Sequence, residues 1–266
     1  MTALAPAAAP LRHRPRLVSA ELLKVTSTKM WLGMLGGVLA FIALGIVSSI
    51  FAPDPQGSGV TVPRLSTDAG MRNLFASAGA AYVFAIIIGA LGMTQEIRHQ
   101  TLSSTFLAQP HRNRVSAAKM AAYLGVGAFY GLVGVVWGYA LAFALLPLKE
   151  HADIPVTALW QIAGGAVLGS ALFAVLGVAV GTLVRNQIAA ILGILVWVLL
   201  VERLIVAFLP DVGKWLPGGA LDGVLQTTGI NNTTYLPVWG AALVLVAYAV
   251  GFAVVAALTT QRRDIT

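Results

Sequence analysis

The stretch Glu96–Lys119, EIRHQTLSSTFLAQPHRNRVSAAK, is the most polar internal segment of the chain. It places Leu102, Phe106 and Leu107 at i, i+4 and i+5, which favours a short amphipathic helix that Pro110 would end. The segment carries four basic residues against one acid, a composition typical of cytoplasmic loops in membrane proteins. It is therefore either an ordinary solvated loop or a docking helix that receives force from a soluble partner.

Long apolar runs lie on both sides of this segment and continue through the chain. The 266 residues are 58 % hydrophobic and only 10 % charged, whereas about a quarter of the residues in a soluble domain are charged. Six runs exceed the roughly 20 residues that a membrane crossing needs: Trp31–Phe51, Leu74–Gln95, Val115–Leu146, Ala158–Val184, Ile188–Leu209 and Leu236–Leu258. We therefore predict an all-α integral membrane protein whose six transmembrane helices form one domain over residues 31–258.

The charged residues are distributed unevenly between the two sides that this topology creates. Most of the 17 Lys and Arg residues fall on the side of the N-terminus, and most of the 10 acidic residues fall on the other side. Because basic loops stay on the cytoplasmic side, this pattern predicts a multi-pass protein of the plasma membrane with both termini cytoplasmic. It also accounts for the net charge of +7 through contact with membrane lipid, without nucleic acid as a partner.

The two ends of the chain are predicted to lie on the cytoplasmic side. Residues 1–15 are rich in Ala and Pro and should form a mobile tail. In residues 16–30, Val18, Leu22 and Val25 share one helical face and Lys24 lies opposite. This favours an interfacial amphipathic helix with Lys24 near the lipid headgroups, and a plain cytoplasmic tail is the alternative. Residues 259–266 should form a second cytoplasmic tail.

The loop before the sixth run, Pro210–Tyr235, is unusual for an external loop. It contains DVGKWLPGGA at Asp211–Ala220, in which apolar residues are mixed with Trp, Pro and Gly. This composition favours a short helical segment that lies on the outer leaflet or re-enters it. Non-helical backbone at that depth must pack against protein or line a wet cavity. A folded surface loop is the alternative.

Charged and small residues inside the apolar runs are candidates for function or packing. Glu202 and Arg203 are neighbours near the outer end of the fifth run, where they form either an interfacial pair or part of a substrate path. Glycines four positions apart serve either internal helix packing or dimerisation. They occur at Gly127 and Gly131, Gly134 and Gly138, Gly165 and Gly169, and Gly177 and Gly181.

The sequence offers little basis for catalysis. It contains no cysteine, no His lies within an apolar run to serve Ser170 as a base, and neither HExxH nor GxxxxGK[ST] occurs. We therefore expect no active site, cofactor or metal in this chain. Transport would need an ion gradient or a separate ATPase, and the lack of acids at the centres of the runs favours the ATPase.

The order of these parts resembles the permease subunits of type-2 ABC exporters, particularly the compact actinobacterial kind whose ATPase is a separate chain. The resemblance covers nearly the whole chain, and its most specific part is the inner-loop pattern E-x-R-x-x-T followed by P-x-R. The matching residues are Glu21, Leu22, Leu23 and Lys24 before the first run, Glu96, Arg98, Thr101, Leu102, Pro110, Arg112 and Lys119 in the inner loop, and Trp215, Leu216 and Pro217 outside.

The resemblance implies that residues 96–109 form a coupling helix seated in a groove of the ATPase. The residues implied in this coupling are Glu96, Arg98, Thr101, Leu102, Thr105, Phe106, Leu107 and Arg112. The resemblance also implies two ATPase subunits, which bind ATP and Mg, and a second permease that is either identical or related.

A substrate path is expected along the seam between the two permeases, lined by the second and fifth runs. The candidate lining residues are Tyr82, Phe84, Trp197 and Glu202. The apolar seam favours an amphipathic or hydrophobic substrate, such as a drug, a peptide or a lipid-like molecule. The alternatives are a membrane anchor or assembly subunit without transport, an intramembrane enzyme, and an ion-coupled carrier.

Overall fold

The computed structural model describes residues 17–51, 63–101, 112–229 and 234–262. All regular elements in these ranges are helices. They are α1 (Leu17–Ser27), α2 (Met30–Phe51), α3 (Asp68–Ala76), α4 (Ala81–Arg98), α5 (Arg112–Leu145), α6 (Val156–Val184), α7 (Gln187–Val196), α8 (Glu202–Phe208), α9 (Pro210–Gly213), α10 (Pro217–Val224) and α11 (Val238–Arg262). A 3₁₀ turn at Ser77–Ala80 joins α3 to α4, another at Leu146–Leu148 follows α5, and a π-helical turn at Trp197–Val201 joins α7 to α8. The tail predicted at residues 1–15 lies outside the described residues, as do residues 263–266 of the second tail.

Six helical segments of the described chain are long and apolar enough to cross a membrane, which confirms the predicted number of spans. They are Met30–Phe51, Asp68–Arg98, Asn113–Leu148, Val156–Val184, Gln187–Phe208 and Val238–Thr259. The predicted boundaries differ most at the second span, which begins at Asp68 rather than at Leu74. Hydropathy misses this start because α3 opens with polar residues, and Thr67 caps it by accepting a hydrogen bond from Gly70 N at 3.2 Å.

The second span and α6 form the centre of the bundle. In the most apolar stretch of each span, 83 % of the residues are buried in the second span and 72 % in α6, against 22 % to 33 % in the other four spans. α6 packs most extensively against α4 and α5, and then against α11. The outer helices leave large apolar side chains such as Leu44, Phe208 and Trp239 exposed. An apolar periphery of this kind is suited to contact with lipid chains.

Glycines bring the central helices together at distances that a larger side chain would prevent. A Cβ on Gly89 of α4 would meet the backbone of Ala174, and a Cβ on Gly177 of α6 would meet the backbone of Ile86. The remaining predicted glycines also face other helices of the same chain: Gly181 faces Ala90, Gly127 and Gly131 face α6, Gly134 and Gly138 face Ile42 and Ala78, and Gly165 and Gly169 face α10. Of the two predicted uses, these contacts therefore assign all four glycine pairs to internal packing.

The two ends of the bundle carry different accessory helices. At the first, named the α1 end, α1 lies beside the end of α4 and the start of α5. At the opposite end, named the α10 end, lie α3, α9 and α10. α1 is shorter than the helix predicted over residues 16–30, because a turn at Thr28 and Lys29 separates it from α2. Its predicted apolar face stays largely uncovered, since Val18 is 40 % and Leu22 is 37 % exposed, as suits a helix at a membrane surface.

The segment between α8 and α11 enters the bundle instead of covering it. Every residue from Gly218 to Val224 in α10 is buried. Leu221 lies against Gly169 of α6, and because α6 begins at Val156, this contact lies about 20 Å along its axis. Of the two predicted arrangements, the described part of this segment therefore adopts a short helix packed against protein, and not a surface loop.

Candidate functional site

Four charged side chains from three helices meet at the α1 end. They are Glu21 and Lys24 of α1, Glu96 of α4 and Lys119 of α5, and we name them the ionic cluster. The Lys24 ammonium lies 2.6 Å from Glu21 Oε1 and 2.7 Å from Glu96 Oε1. The Lys119 ammonium lies 2.5 Å from Glu21 Oε2 and 2.9 Å from Glu96 Oε1. Each carboxylate therefore contacts both cations, and the formal charges of the cluster cancel.

The ionic cluster is largely shielded from water. Only 5 % of the side chains of Glu21 and Lys119 and 9 % of that of Glu96 are exposed, whereas 42 % of that of Lys24 is exposed. Unpaired charges are costly at such sites, so the two acids and two bases stabilise one another as a set. Glu96 Oε2 is buried and accepts no hydrogen bond from the described residues, which leaves this carboxylate with unused acceptor capacity.

The two charges on α1 have shifted pKa values. Burial alone would raise the pKa of Glu21, but Lys119 and Lys24 more than offset burial and hold this pKa below its usual value. Burial alone would lower the pKa of Lys24, but hydrogen bonds to Glu21 and Glu96 outweigh it and raise this pKa. Both groups are therefore charged at neutral pH.

Close packing of α4 on α5 positions Lys119 in the cluster. Gly92 has no side chain that would collide with the Tyr123 hydroxyl, so the two helices approach closely. The Lys119 ammonium lies 5.8 Å from the centre of the Tyr123 ring and 3.5 Å from the Gly92 carbonyl oxygen. Lys24, predicted to lie near the lipid headgroups, also binds both carboxylates of the cluster, while 42 % of its side chain stays exposed.

The predicted coupling residues are only partly described. Glu96 is buried in the last turn of α4, Arg98 is exposed with Nη1 3.4 Å from Gln187 Oε1, and Thr101 is exposed. The coupling helix predicted from Glu96 is not separate at its start, because α4 continues to Arg98 before Gln100 adopts a left-handed conformation with φ 54°. The other coupling residues, Leu102, Thr105, Phe106 and Leu107, lie outside the described residues, as does the side chain of Arg112.

At the α10 end, Glu202 and Arg203 bind different partners, so the predicted interfacial pair is wrong. Glu202 Oε1 accepts a hydrogen bond from Trp197 Nε1, and Glu202 Oε2 accepts one from Gly218 N, both at 2.6 Å. Arg203 Nη1 donates to Asp222 Oδ2 at 2.6 Å. Consecutive residues on a helix point about 100° apart, which explains why two sequence neighbours reach different parts of the bundle.

Glu202 fixes α10 to the fifth span. Glu202 is 1 % exposed, and its carboxylate accepts a hydrogen bond from the N–H of Gly218, in the first turn of α10. The free N–H groups at a helix start carry partial positive charge, so a carboxylate at this point stabilises α10. The other donor, Trp197, belongs to the π-helical turn, and such turns are frequent at functional sites.

A cavity of about 500 Å³ lies beside Arg203 at the α10 end. Its walls come from α2, the second span, α8 and the segment that contains α10. The polar lining includes Tyr82, Asp222 and Tyr235, and the apolar lining includes residues such as Leu199. A cavity of this size and mixed lining can hold an amphipathic small molecule.

The four predicted path residues do not share one surface. Tyr82 lines the cavity at the α10 end. Phe84 packs edge-on against Phe41, with ring centroids 6.0 Å apart. Trp197 and Glu202 bind each other and support α10, which forms one wall of the cavity. Sequence reasoning missed Asp222 and Tyr235, which follow the fifth span and carry no local pattern that distinguishes them.

Comparison with known protein families finds no match for this chain. No curated protein is significantly similar to it either. Within the residues that the structure describes, no group of three or more His, Asp or Glu side chains is placed to hold a metal ion.

Proposed function

We propose that this chain is the membrane-spanning permease subunit of an ATP-driven exporter of the type-2 ABC class. In this proposal the α1 end faces the cytoplasm across the plasma membrane. Two permease chains, identical or related, assemble with two separate ATPase subunits, which bind ATP and Mg. The six-span architecture, the positive charge at the α1 end and the inner-loop pattern support this proposal.

The ionic cluster is the observation that carries the proposal. Glu96 lies at the end of α4 and Lys119 lies early in α5, so the cluster joins the two helices that flank the proposed coupling segment. The same cluster binds α1 through Glu21 and Lys24. A force on the segment between α4 and α5 would therefore act on three helices together, as coupling to an ATPase requires.

The proposed mechanism begins with closure of the ATPase dimer on ATP. Closure displaces the coupling segment, to which Leu102, Phe106 and Leu107 contribute apolar contact. The basic residues of this region, Arg98, Arg112 and Arg114, contribute charge complementarity. The displaced cluster moves α4 and α5, and the permease pair alternates between inward-open and outward-open states.

The proposed substrate is amphipathic or hydrophobic, as a drug, a peptide or a lipid-like molecule would be. The cavity at the α10 end supports this class, because polar groups such as Tyr82 and Arg203 lie beside an apolar wall. Glu202 and Trp197 contribute indirectly by holding α10, which forms part of that wall.

The test is a charge placed on the apolar face of the coupling segment. Phe106→Asp should abolish co-purification with the ATPase encoded beside this chain, or abolish the stimulation of its activity by substrate, because a carboxylate cannot enter an apolar groove without a large desolvation cost. Ser104→Asp is the matched control, since position 104 lies on the opposite face of the predicted helix and receives the same charge.

Retained ATPase binding and stimulation in Phe106→Asp would contradict the proposal. Equal losses in Phe106→Asp and Ser104→Asp would also contradict it, because they would show a general effect of charge. Absence of any ATPase from the purified native complex would favour the anchor or assembly subunit instead.

A further inference from the structure

A second cavity, of about 310 Å³, lies at the α1 end between α1 and the central helices. Its apolar lining includes Val25, Trp31 and Tyr123. Its polar lining includes Lys24 and His99, and the ionic cluster forms part of the same wall. A cavity with a cationic rim and an apolar side matches a molecule that carries a charged head and a hydrocarbon chain.

The position of α1 places this cavity beside the surface of the membrane. α1 exposes Leu22 and also Leu23, which is 68 % exposed, although it is not a span. Helices with exposed apolar residues and a charged face lie in the headgroup region. The first span begins at Met30, directly after the turn that follows α1. The cavity beside this turn therefore lies where headgroups meet hydrocarbon.

The α1 end carries an excess of positive charge. The two carboxylates of the ionic cluster are already bound by Lys24 and Lys119. Four further basic residues at this end form no ion pair with any described residue: Lys29, Arg98, Arg114 and Arg185. Basic surfaces at the headgroup level attract anionic lipids.

Lys24 has donor capacity that the described residues do not use. An ammonium group has three N–H donors, and Glu21 and Glu96 accept two of them. The side chain is 42 % exposed, and it lines the cavity together with the exposed His99. These two side chains can therefore donate to one acceptor group inside the cavity.

We propose that this cavity binds the headgroup of an anionic phospholipid, with its phosphate on Lys24 and His99 and an acyl chain beside Trp31. The bound phosphate competes with Glu96 for the Lys24 ammonium, which links the lipid composition to the ionic cluster. Lipid binding at this site requires neither transport nor an ATPase, so its test is independent of the test of the proposed function.

The experiment measures lipid binding to the purified full-length chain in detergent by native mass spectrometry. The probes are phosphatidylglycerol, phosphatidylcholine and glycerol 3-phosphate. We expect phosphatidylglycerol to bind at least about ten-fold more tightly than phosphatidylcholine, because phosphatidylcholine has the same phosphate but also a quaternary ammonium that the basic α1 end repels. Glycerol 3-phosphate should not bind at the same concentrations, because it lacks the chain that the apolar lining accepts.

Three variants locate the binding. Lys24→Gln combined with Glu21→Gln removes the cation that would face the headgroup but leaves Glu96 and Lys119 as an ion pair with no net charge. It should abolish most of the preference for phosphatidylglycerol. His99→Ala changes an exposed residue outside the ionic cluster and should weaken phosphatidylglycerol binding without affecting folding. Arg185→Asn removes a cation at the same end but outside the cavity lining, and it should keep the preference.

Several outcomes would overturn the proposal. Equal binding of phosphatidylglycerol and phosphatidylcholine by the native chain would exclude an anionic headgroup site. A loss in Arg185→Asn as large as that in His99→Ala would show attraction by net charge alone. Tight binding of glycerol 3-phosphate would identify a soluble phosphate as the ligand instead of a lipid.

Discussion

Removing Lys119 from the ionic cluster should destabilise the protein more than removing Lys24, although both cations contact both carboxylates. Lys119→Met leaves Glu21 and Glu96 with one cation, and the Lys119 side chain is only 5 % exposed. Breaking a buried ion pair in this way costs about 3–5 kcal/mol. The Lys24 side chain is 42 % exposed, so water solvates that part of the cluster and Lys24→Met should cost only about 1 kcal/mol.

A charge-balanced double variant separates ion pairing from the packing of the Lys119 side chain. Lys119→Met combined with Glu21→Gln leaves Lys24 and Glu96 as a neutral pair. If charge balance dominates, the added Glu21→Gln should restore stability instead of reducing it further. The coupling energy between the two changes should fall within the roughly 0.5–3 kcal/mol observed for residues in contact.

Equilibrium unfolding in detergent, followed by tryptophan fluorescence, gives the comparison, and none of the six tryptophans is altered in these variants. The expected order of stability is native, Lys24→Met, the double variant and then Lys119→Met. Equal losses for the two single lysine variants would refute the difference in burial. Additive losses in the double variant would refute the interpretation of the cluster as one charge-balanced unit.

Three further predictions concern other parts of the molecule. The pKa of Glu21 lies below its ordinary value of 4.5, so the stability that ionised Glu21 contributes should be complete above pH 4.5. This stability should be lost as the pH falls through the lowered pKa. Unfolding curves measured at decreasing acid pH should show this loss in the native chain but not in Glu21→Gln. Glu202→Ala should cost about 2–3 kcal/mol because it leaves the buried Gly218 N–H unpaired, whereas Glu202→Gln, which keeps an acceptor, should cost less; equal unfolding midpoints would contradict this. Gly177→Ala should cost about 1–3 kcal/mol of stability because the new Cβ collides with the backbone of α4. Gly164→Ala is the control, since its Cβ meets no atom within 4 Å, and it should be neutral or stabilising. Equal unfolding curves for the two variants would contradict this packing.

The six-span architecture could be predicted because a membrane crossing has a strong local signal. Twenty consecutive apolar residues identify a span without any knowledge of its neighbours. The start of the second span could not be found in this way, because the first five residues of α3 include Asp68 and Arg72, which pair with each other at 2.7 Å. A helix that begins with polar residues is recognised from its N-cap residue. Thr67 is the N-cap residue of α3, and hydropathy does not detect it.

The ion pairs could not be predicted because they join residues that are distant in the sequence. Glu21 and Lys119 are 98 positions apart, and Arg203 and Asp222 are 19 apart. The sequence shows only that such residues lie near the ends of apolar runs, where exposed and buried charges look alike. The predicted pairing of Glu202 with Arg203 was wrong because adjacency along a helix does not imply contact in space.

The proposed transport cycle requires the two ends of the bundle to move together, and α4 is the element that can connect them. Glu96 at one end of α4 belongs to the ionic cluster, and Tyr82 at the other end lines the cavity beside Arg203, about 21 Å away along the helix. The glycine contacts of Gly89 and Gly177 leave no space for α4 to bend towards α6. A displacement of the cluster would therefore reach the cavity as a shift of the whole helix, with α6 moving as part of the same unit. On this reasoning, energy delivered at the α1 end is not dissipated in local bending, and a change in the cluster should alter the cavity without any direct contact between them.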